Sequence, residues 1–125
     1  MQVTATEYTY GLKVRVRVGG DECAAFNSAA KWTNTEIRNR NEISDAMGWT
    51  VQDTDRAFIW LRYWPESRRR GNSKTLVHEC LHVAMTFLRD HVREDIRKAE
   101  ETCCYLLQYL YDEITHKLKQ RKKSR

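Results

Sequence analysis

Residues 75–85 read TLVHECLHVAM, an apolar stretch with two histidines four positions apart and a glutamate directly after the first. Residues four apart lie on one face of an α-helix, so the imidazoles of His78 and His82 can reach one ion from adjacent turns. The helix is expected to bury apolar residues at spacings of four, three and four: Val77, Leu81, Ala84 and Leu88.

Glu79 follows the first histidine and lies about 100 degrees round the helix from it. At that position a carboxylate can lie beside a metal-activated water and act as a general base. The alternative is that the pattern arose by chance, roughly once in a hundred random sequences of this length, and that both histidines are ordinary core or surface residues. A third ligand distinguishes the two interpretations.

Catalytic zinc usually takes three protein ligands and leaves a fourth position for water. His91 lies nine residues beyond His82, on the opposite face of a continuous helix. The pattern HExxH, 18 residues, then Glu101 resembles the gluzincins, the group that includes thermolysin and the zinc aminopeptidases. This resemblance implies that one zinc ion is held by two histidines and Glu101, with Glu79 as the general base.

The resemblance requires the chain to fold back on itself. Glu101 lies 19 residues after His82, and 19 residues of a straight helix span about 28 Å, too far for both side chains to bind one ion. The chain must turn back between about residues 89 and 94, where Asp90 can cap a second helix. That helix, predicted from about Glu94 to Leu118, runs antiparallel to the first. Its expected buried residues are Cys103, Leu106 or Leu107, Leu110, Ile114 and Leu118.

Residues 100–110, EETCCYLLQYL, are similar to a segment of short HExxH proteins of tailed phages and prophages. The resemblance covers roughly residues 57–111. Thermolysin-like enzymes have a carboxylate one turn after the ligand glutamate, and here that position is Tyr105. We expect this tyrosine either to bind an oxyanion or to hydrogen-bond to a residue that ligates the metal.

The first half of the chain predicts a small sheet. Residues 7–18 alternate as an amphipathic strand, and Asp21 can cap a helix to about Asn41 that buries Phe26, Ala30, Thr33 and Ile37. Residues 48–64 read as a hairpin or two short strands, and both faces of the second strand are expected to be partly covered. Its second strand is the candidate edge that pairs with an extended substrate, through Ile59, Trp60 and Leu61.

These elements predict an α+β fold, with about three strands packed on helices, an HExxH helix and an antiparallel C-terminal helix, in a minimal zincin-like arrangement. We expect one domain over residues 1–115 and a basic tail over 116–125. The tail carries six basic and no acidic residues, so the rest of the chain, at +5 minus 6, is −1. Arg68, Arg69 and Arg70 form a second basic cluster, expected in a loop facing solvent.

Four cysteines without a CxxC pair indicate reduced thiols, and no apolar run has the length of a membrane span. We therefore expect a cytoplasmic protein, in the host cytoplasm if it is phage-encoded, with no membrane partner. The leading hypothesis is a zinc metallopeptidase that acts on a peptide or protein. The alternative is an inactive, metal-stabilised protein that binds a protein or nucleic acid through its basic tail, with nucleic acid the less favoured partner.

Overall fold

The computed structural model describes residues 1–35, 46–65, 72–91 and 96–123, which form a four-stranded mixed sheet and three helices. The predicted α+β class is confirmed, with one strand more than expected. The elements in chain order are β1 (Gln2–Glu7), β2 (Leu12–Val18), α1 (Glu22–Thr33), β3 (Gly48–Asp53), β4 (Arg56–Leu61), α2 (Asn72–His91) and α3 (Ile96–Lys123).

The additional strand is β1, which precedes the strand predicted over residues 7–18, and that prediction is wrong in its first part. Glu7 ends β1 and accepts the backbone amides of Thr9 and Tyr10, both at 2.8 Å, while Gly11 takes a φ of +73°. This turn pairs β1 with β2 in antiparallel fashion. The alternation itself was informative, because Leu12 and the valines that follow it at every second position face the helices.

The sheet order is β1-β2-β4-β3, in which β2 and β4 are parallel and both outer pairs are antiparallel. The hairpin predicted over residues 48–64 is present as β3 and β4. Its second strand, however, is interior, since β4 pairs with β2 on one side and with β3 on the other. The prediction of an edge strand at Ile59, Trp60 and Leu61 is therefore wrong: all three side chains are buried, and β3 is the edge.

Helix α1 packs on the outer face of β3 and β4. Asp21 caps it as predicted, accepting the amide of Ala24 at 3.1 Å, and the helix ends at Asn34, which has a φ of +54°. The residues predicted to extend it, including Ile37, lie outside the described residues. Its buried apolar side chains are Ala25 and Ala29 rather than the predicted Phe26 and Ala30, because the small alanines let the helix approach Phe58 and Trp60.

Helices α2 and α3 cover the inner face of the sheet and form the main core with it. The predicted burial of Val77 and Leu81 is wrong, since they are 39% and 37% exposed, whereas Ala84 and Leu88 are buried as expected. The stripe that faces the sheet is displaced by one residue, about 100 degrees, and has the same period. It consists of Leu76, Cys80, Val83 and Phe87, together with Ala84.

Helix α3 buries Leu106, Leu110, Ile114 and Leu118 as predicted, with Cys103 half-buried. It continues without a break to Lys123, and Lys117 donates a hydrogen bond to the carbonyl of Thr4 at 2.8 Å. The segment set apart as a tail from residue 116 therefore packs on the domain through its first turn. The sequence predicts the turn between about residues 89 and 94, but α2 includes Asp90 and reaches His91, and residues 92–95 lie outside the described ranges.

The basic cluster Arg68, Arg69 and Arg70 also falls outside the described residues. Across the parts of the chain that the structure describes, no helix combines the length and the apolar character that a bilayer span requires.

Candidate metal centre

His78 and His82 project from consecutive turns of α2 and meet at its exposed surface. Their Nε2 atoms are 3.0 Å apart, and the two rings are nearly perpendicular, at 82°. Two nitrogens bound tetrahedrally to one zinc at 2.0–2.1 Å would lie about 3.3 Å apart. The pair therefore fits a shared divalent ion, and both imidazoles are exposed enough to receive it.

Glu79 completes a group of three potential ligand residues with these histidines. One ligand atom from each lies within 4.8 Å of the others. Unlike the histidines, Glu79 is only 4% exposed, and its Oε2 accepts a hydrogen bond from the hydroxyl of Thr50 at 3.1 Å. A buried carboxylate held at one oxygen has a fixed direction, which suits a group that must act on a neighbouring atom.

Strand β3 forms the opposite wall of this site. A groove runs between it and α2, lined on one side by Gly48, Thr50 and Gln52 and on the other by His78, Glu79 and His82. Gln52 strengthens the contact, because its Nε2 donates to the carbonyl of Val83 at 3.3 Å. Its Oε1 is buried and has no hydrogen-bond partner within the described residues.

Gly48 sets how closely β3 approaches α2. A Cβ at this position would lie 2.8 Å from Cγ2 of Thr75 and 2.8 Å from the carbonyl oxygen of Trp60. Real Cβ atoms do not come so close, so any larger residue must move the strand or the helix. The glycine is therefore needed for the width of the groove.

The backbone of β3 presents hydrogen-bonding groups to this groove. The amide of Arg62 donates to the carbonyl of Met47, and in an antiparallel ladder alternate residues turn away from the partner strand. Gly48, Thr50 and Gln52 therefore direct their amides and carbonyls to the free side of β3. Unpaired strand edges of this kind accept extended peptides.

The other edge of the sheet is occupied. The outward carbonyls of β1 belong to Thr4 and Thr6, and they accept hydrogen bonds from Lys117 and from the hydroxyl of Tyr109, both at 2.8 Å. Side chains of α3 thus cap the β1 edge. Among the described strands, β3 is the one that offers an uncapped edge, and that edge lies beside the histidines.

Glu101 is exposed on α3, the helix packed against α2, and it is not a member of the three-residue group. Its role as the third ligand stays a prediction. The hydroxyl of Tyr105 donates to Oε1 of Glu7 at 2.9 Å, and its ring contacts Tyr10. The structure thus ties this tyrosine to the β1–β2 turn, and its predicted role beside the metal is untested.

Glu7 is a buried carboxylate, yet its pKa is lowered. Burial raises the pKa, but the backbone amides of Tyr10 and Thr9 and the Tyr105 hydroxyl stabilise the charged form and outweigh burial. This carboxylate therefore joins the turn to α3. Its distance in sequence from Tyr105, 98 positions, explains why the sequence alone did not pair them.

Thr50, Gln52 and Gly48 are candidate site residues that the sequence did not predict. They share one face of β3 at two-residue spacing, and that face carries two polar side chains toward α2. Polar residues on the covered face of a strand are a usable signal for a site. Their partner could not be identified without knowing that β3 is the strand next to α2.

Comparisons with protein-family models, with curated proteins and with solved structures gave no match. A function is therefore inferred from the geometry of α2 and β3.

Proposed function

We propose that the protein is a small metal-dependent peptidase in which His78 and His82 bind a zinc ion and Glu79 is the general base. The observation that carries this proposal is the pair of exposed Nε2 atoms 3.0 Å apart, with a buried carboxylate oriented beside them. Two imidazoles and a carboxylate suit zinc better than calcium or magnesium, which prefer all-oxygen sites.

Glu101 is the third ligand in this proposal, as the resemblance to gluzincins implies. Three protein ligands leave the open position that a hydrolytic site needs. When bound, zinc supplies a water of lowered pKa and polarises a carbonyl oxygen. The zincin-like arrangement is supported by the HExxH helix lying beneath an antiparallel edge strand.

The chain's own residues perform three tasks. Thr50 holds one carboxylate oxygen of Glu79, so that the other is directed to the ion side of the groove and can take a proton from the attacking water. The edge of β3 binds an extended peptide by main-chain hydrogen bonds, and this fixes the scissile bond above the histidines. Gln52 holds β3 against α2, because its Nε2 donates to the carbonyl of Val83 at 3.3 Å.

The test is to incubate zinc-loaded protein with a complex peptide mixture and to identify new termini by mass spectrometry. Glu79→Gln should bind zinc like the wild type and lose about 10²- to 10⁴-fold in cleavage rate, as expected for removal of a general base. Cleavage that persists unchanged in Glu79→Gln contradicts the mechanism. A zinc-loaded wild type that cleaves nothing leaves the metal-stabilised binding protein as the correct interpretation.

The third ligand is tested separately. Glu101→Gln should weaken zinc binding at least tenfold, whereas Glu100→Gln, its exposed neighbour on the same helix, should not. Equal zinc affinity in the two variants rules out Glu101 as a ligand and leaves the histidine pair to be judged on its own.

A further inference from the structure

The outer face of the sheet has two unlike halves. Helix α1 covers β3 and β4, where Phe58 and Trp60 are buried. The half formed by β1 and β2 carries a row of three basic side chains at every second position of β2, which we call the basic row: Lys13, Arg15 and Arg17. Beside it, β1 places the neutral polar residues Gln2, Thr4 and Thr6 on the same face.

Two arginines of the basic row are held in place. The guanidinium of Arg15 lies 3.7 Å from the centre of the Trp32 ring and donates to the hydroxyl of Thr4 at 3.3 Å. Arg17 donates to the hydroxyl of Ser28 at 3.4 Å. These contacts reduce the side-chain entropy that a long cation loses when it binds a partner.

The row is not neutralised from within the protein. In the described ranges, the carboxylates that make ion pairs do so with Arg62, Arg89 and Lys117, and none pairs with the basic row. The pKa of Arg15 is lowered, first by burial and then by the nearby charge of Arg56. Both effects oppose the positive charge, and a bound anion would relieve them.

The basic surface continues round the edge of the sheet. A groove beyond β1 is lined by Gln2 and Thr4 from the strand and by Lys117 and Arg121 from α3. The nitrogen of Lys117 is engaged by the carbonyl of Thr4, at 2.8 Å, and by Glu113, at 3.9 Å, whereas Arg121 is exposed. A partner lying on the basic row therefore finds further positive charge past β1.

We propose that the basic row of β2, continued by Arg121, binds the phosphodiester backbone of a nucleic acid. Cations two residues apart on a strand are spaced by about 6.6 Å along a straight line, which suits a linear polyanion. Guanidinium groups match phosphate oxygens in geometry. The neighbouring threonines and glutamine offer hydrogen bonds to phosphate and sugar, and no exposed large apolar side chain lies in the row to enter a membrane.

Binding of this kind does not read sequence. Trp32, the aromatic residue nearest the row, already stacks with the guanidinium groups of Arg15 at 3.7 Å and Arg56 at 4.5 Å. The expected contacts are therefore with the phosphate backbone rather than with bases. The contacts are then electrostatic, and the affinity depends steeply on salt. The row lies on the opposite face of the sheet from the groove between α2 and β3, so the proposal is independent of the peptidase hypothesis.

The test is fluorescence anisotropy of a labelled mixed-sequence oligonucleotide, single-stranded or duplex, as DNA and as RNA. Three contacts contribute about −2.1 to the slope of log affinity against log salt for a single strand, so raising salt from 50 to 200 mM should weaken their part of the binding roughly 18-fold. Replacement of the row, Lys13→Gln with Arg15→Gln and Arg17→Gln, should remove about two units of slope.

Two matched variants separate charge from packing. Arg89→Gln with Lys98→Gln and Lys119→Gln removes the same charge from exposed positions of α2 and α3, and should retain the slope. Lys13→Arg with Arg15→Lys and Arg17→Lys keeps the charge of the row but changes its packing on Trp32, and should bind within a few-fold of the wild type.

Three outcomes overturn the proposal. They are no wild-type binding to any oligonucleotide at 50 mM salt, an equal loss of slope in the α2 and α3 variant, and binding to vesicles of anionic lipid but not to oligonucleotides. The last result assigns the row to a membrane surface instead.

Discussion

The hydrogen bond between Thr50 and Glu79 gives the sharpest prediction about how the site is built. It joins β3 to α2 at 3.1 Å, and it ends on a carboxylate that is 4% exposed. Thr50→Val keeps the shape of the side chain and removes the donor. Leaving a buried acceptor without its partner costs about 1–3 kcal/mol, so the variant should be less stable by that amount.

The assay is urea unfolding of metal-free protein at neutral pH, because a bound ion would add its own stabilisation. In a chain of this length each kcal/mol corresponds to roughly 3–5 °C in the melting temperature, which gives an independent check. Thr50→Ser is the matched control, since it loses a methyl group but keeps the hydroxyl. It should be clearly more stable than Thr50→Val.

A double-mutant cycle measures the interaction itself. When Glu79 is replaced by leucine, the same Thr50→Val change leaves no polar group unpaired, so its cost should fall by at least about 1 kcal/mol. An equal cost of Thr50→Val in both backgrounds, or equal stabilities of the valine and serine variants, would refute the view that Thr50 orients Glu79.

Three further predictions concern the remainder of the fold. Glu7 has a lowered pKa, so its contribution to the free energy of unfolding is complete above its usual pKa of 4.5 and is lost as the pH falls through the lower value of the folded state. Urea unfolding should show the gap in stability between wild type and Glu7→Gln closing as the pH falls below about 4.5. Burial, with the charge of Glu79, raises the pKa of Cys80 to about 12, so mass spectrometry after iodoacetamide treatment at pH 8 should find exposed Cys23 alkylated and Cys80 unmodified. Leu118→Ala should cost about 2–4 kcal/mol in thermal unfolding, against less than about 0.5 for the exposed Lys119→Ala, because Leu118 is 1% exposed.

Each of these has a contradicting result. A constant gap between wild type and Glu7→Gln across the pH range would show that the turn carboxylate has no special environment. Labelling of Cys80 as fast as that of Cys23 would mean that the Cys80 thiol is accessible to solvent. A Leu118→Ala variant as stable as wild type would mean that Leu118 is not packed in the core.

Local patterns in the sequence predicted the elements that depend on local chemistry. The alternation that ends at Val18, the cap at Asp21 and the helical stripe of Leu106, Leu110 and Ile114 all appear in the structure. These features follow from backbone periodicity and from capping, which act over a few residues. The approach of His78 to His82 belongs to the same class, since one helical turn separates them.

Features that depend on strand order could not be predicted in this way. The sequence places the β3–β4 hairpin correctly but does not say which strand is the edge, because both read as aromatic and branched. Because β2 pairs with β4 in parallel, β4 is an interior strand of the sheet and β3 is its edge. The strand predicted to be the edge is therefore the inner strand of a correctly predicted hairpin.

The predicted buried face of α2 is wrong by one residue for a similar reason. Two stripes compete on this helix, one through Val77 and Leu81 and the other through Leu76 and Cys80, and both have helical spacing. The sheet covers the second, which leaves the first exposed beside the histidines. Only the packing partner decides between stripes that differ by a 100-degree rotation.

The most direct measurement is zinc binding by chelator-treated protein, followed as zinc retained per chain after gel filtration. We predict one zinc per wild-type chain, loss of that zinc in His78→Ala and in His82→Ala, and full retention in His116→Ala, which removes an exposed histidine from α3. A wild type that retains no zinc, or a His82→Ala variant that retains as much as His116→Ala, would contradict the assignment of a metal centre to α2.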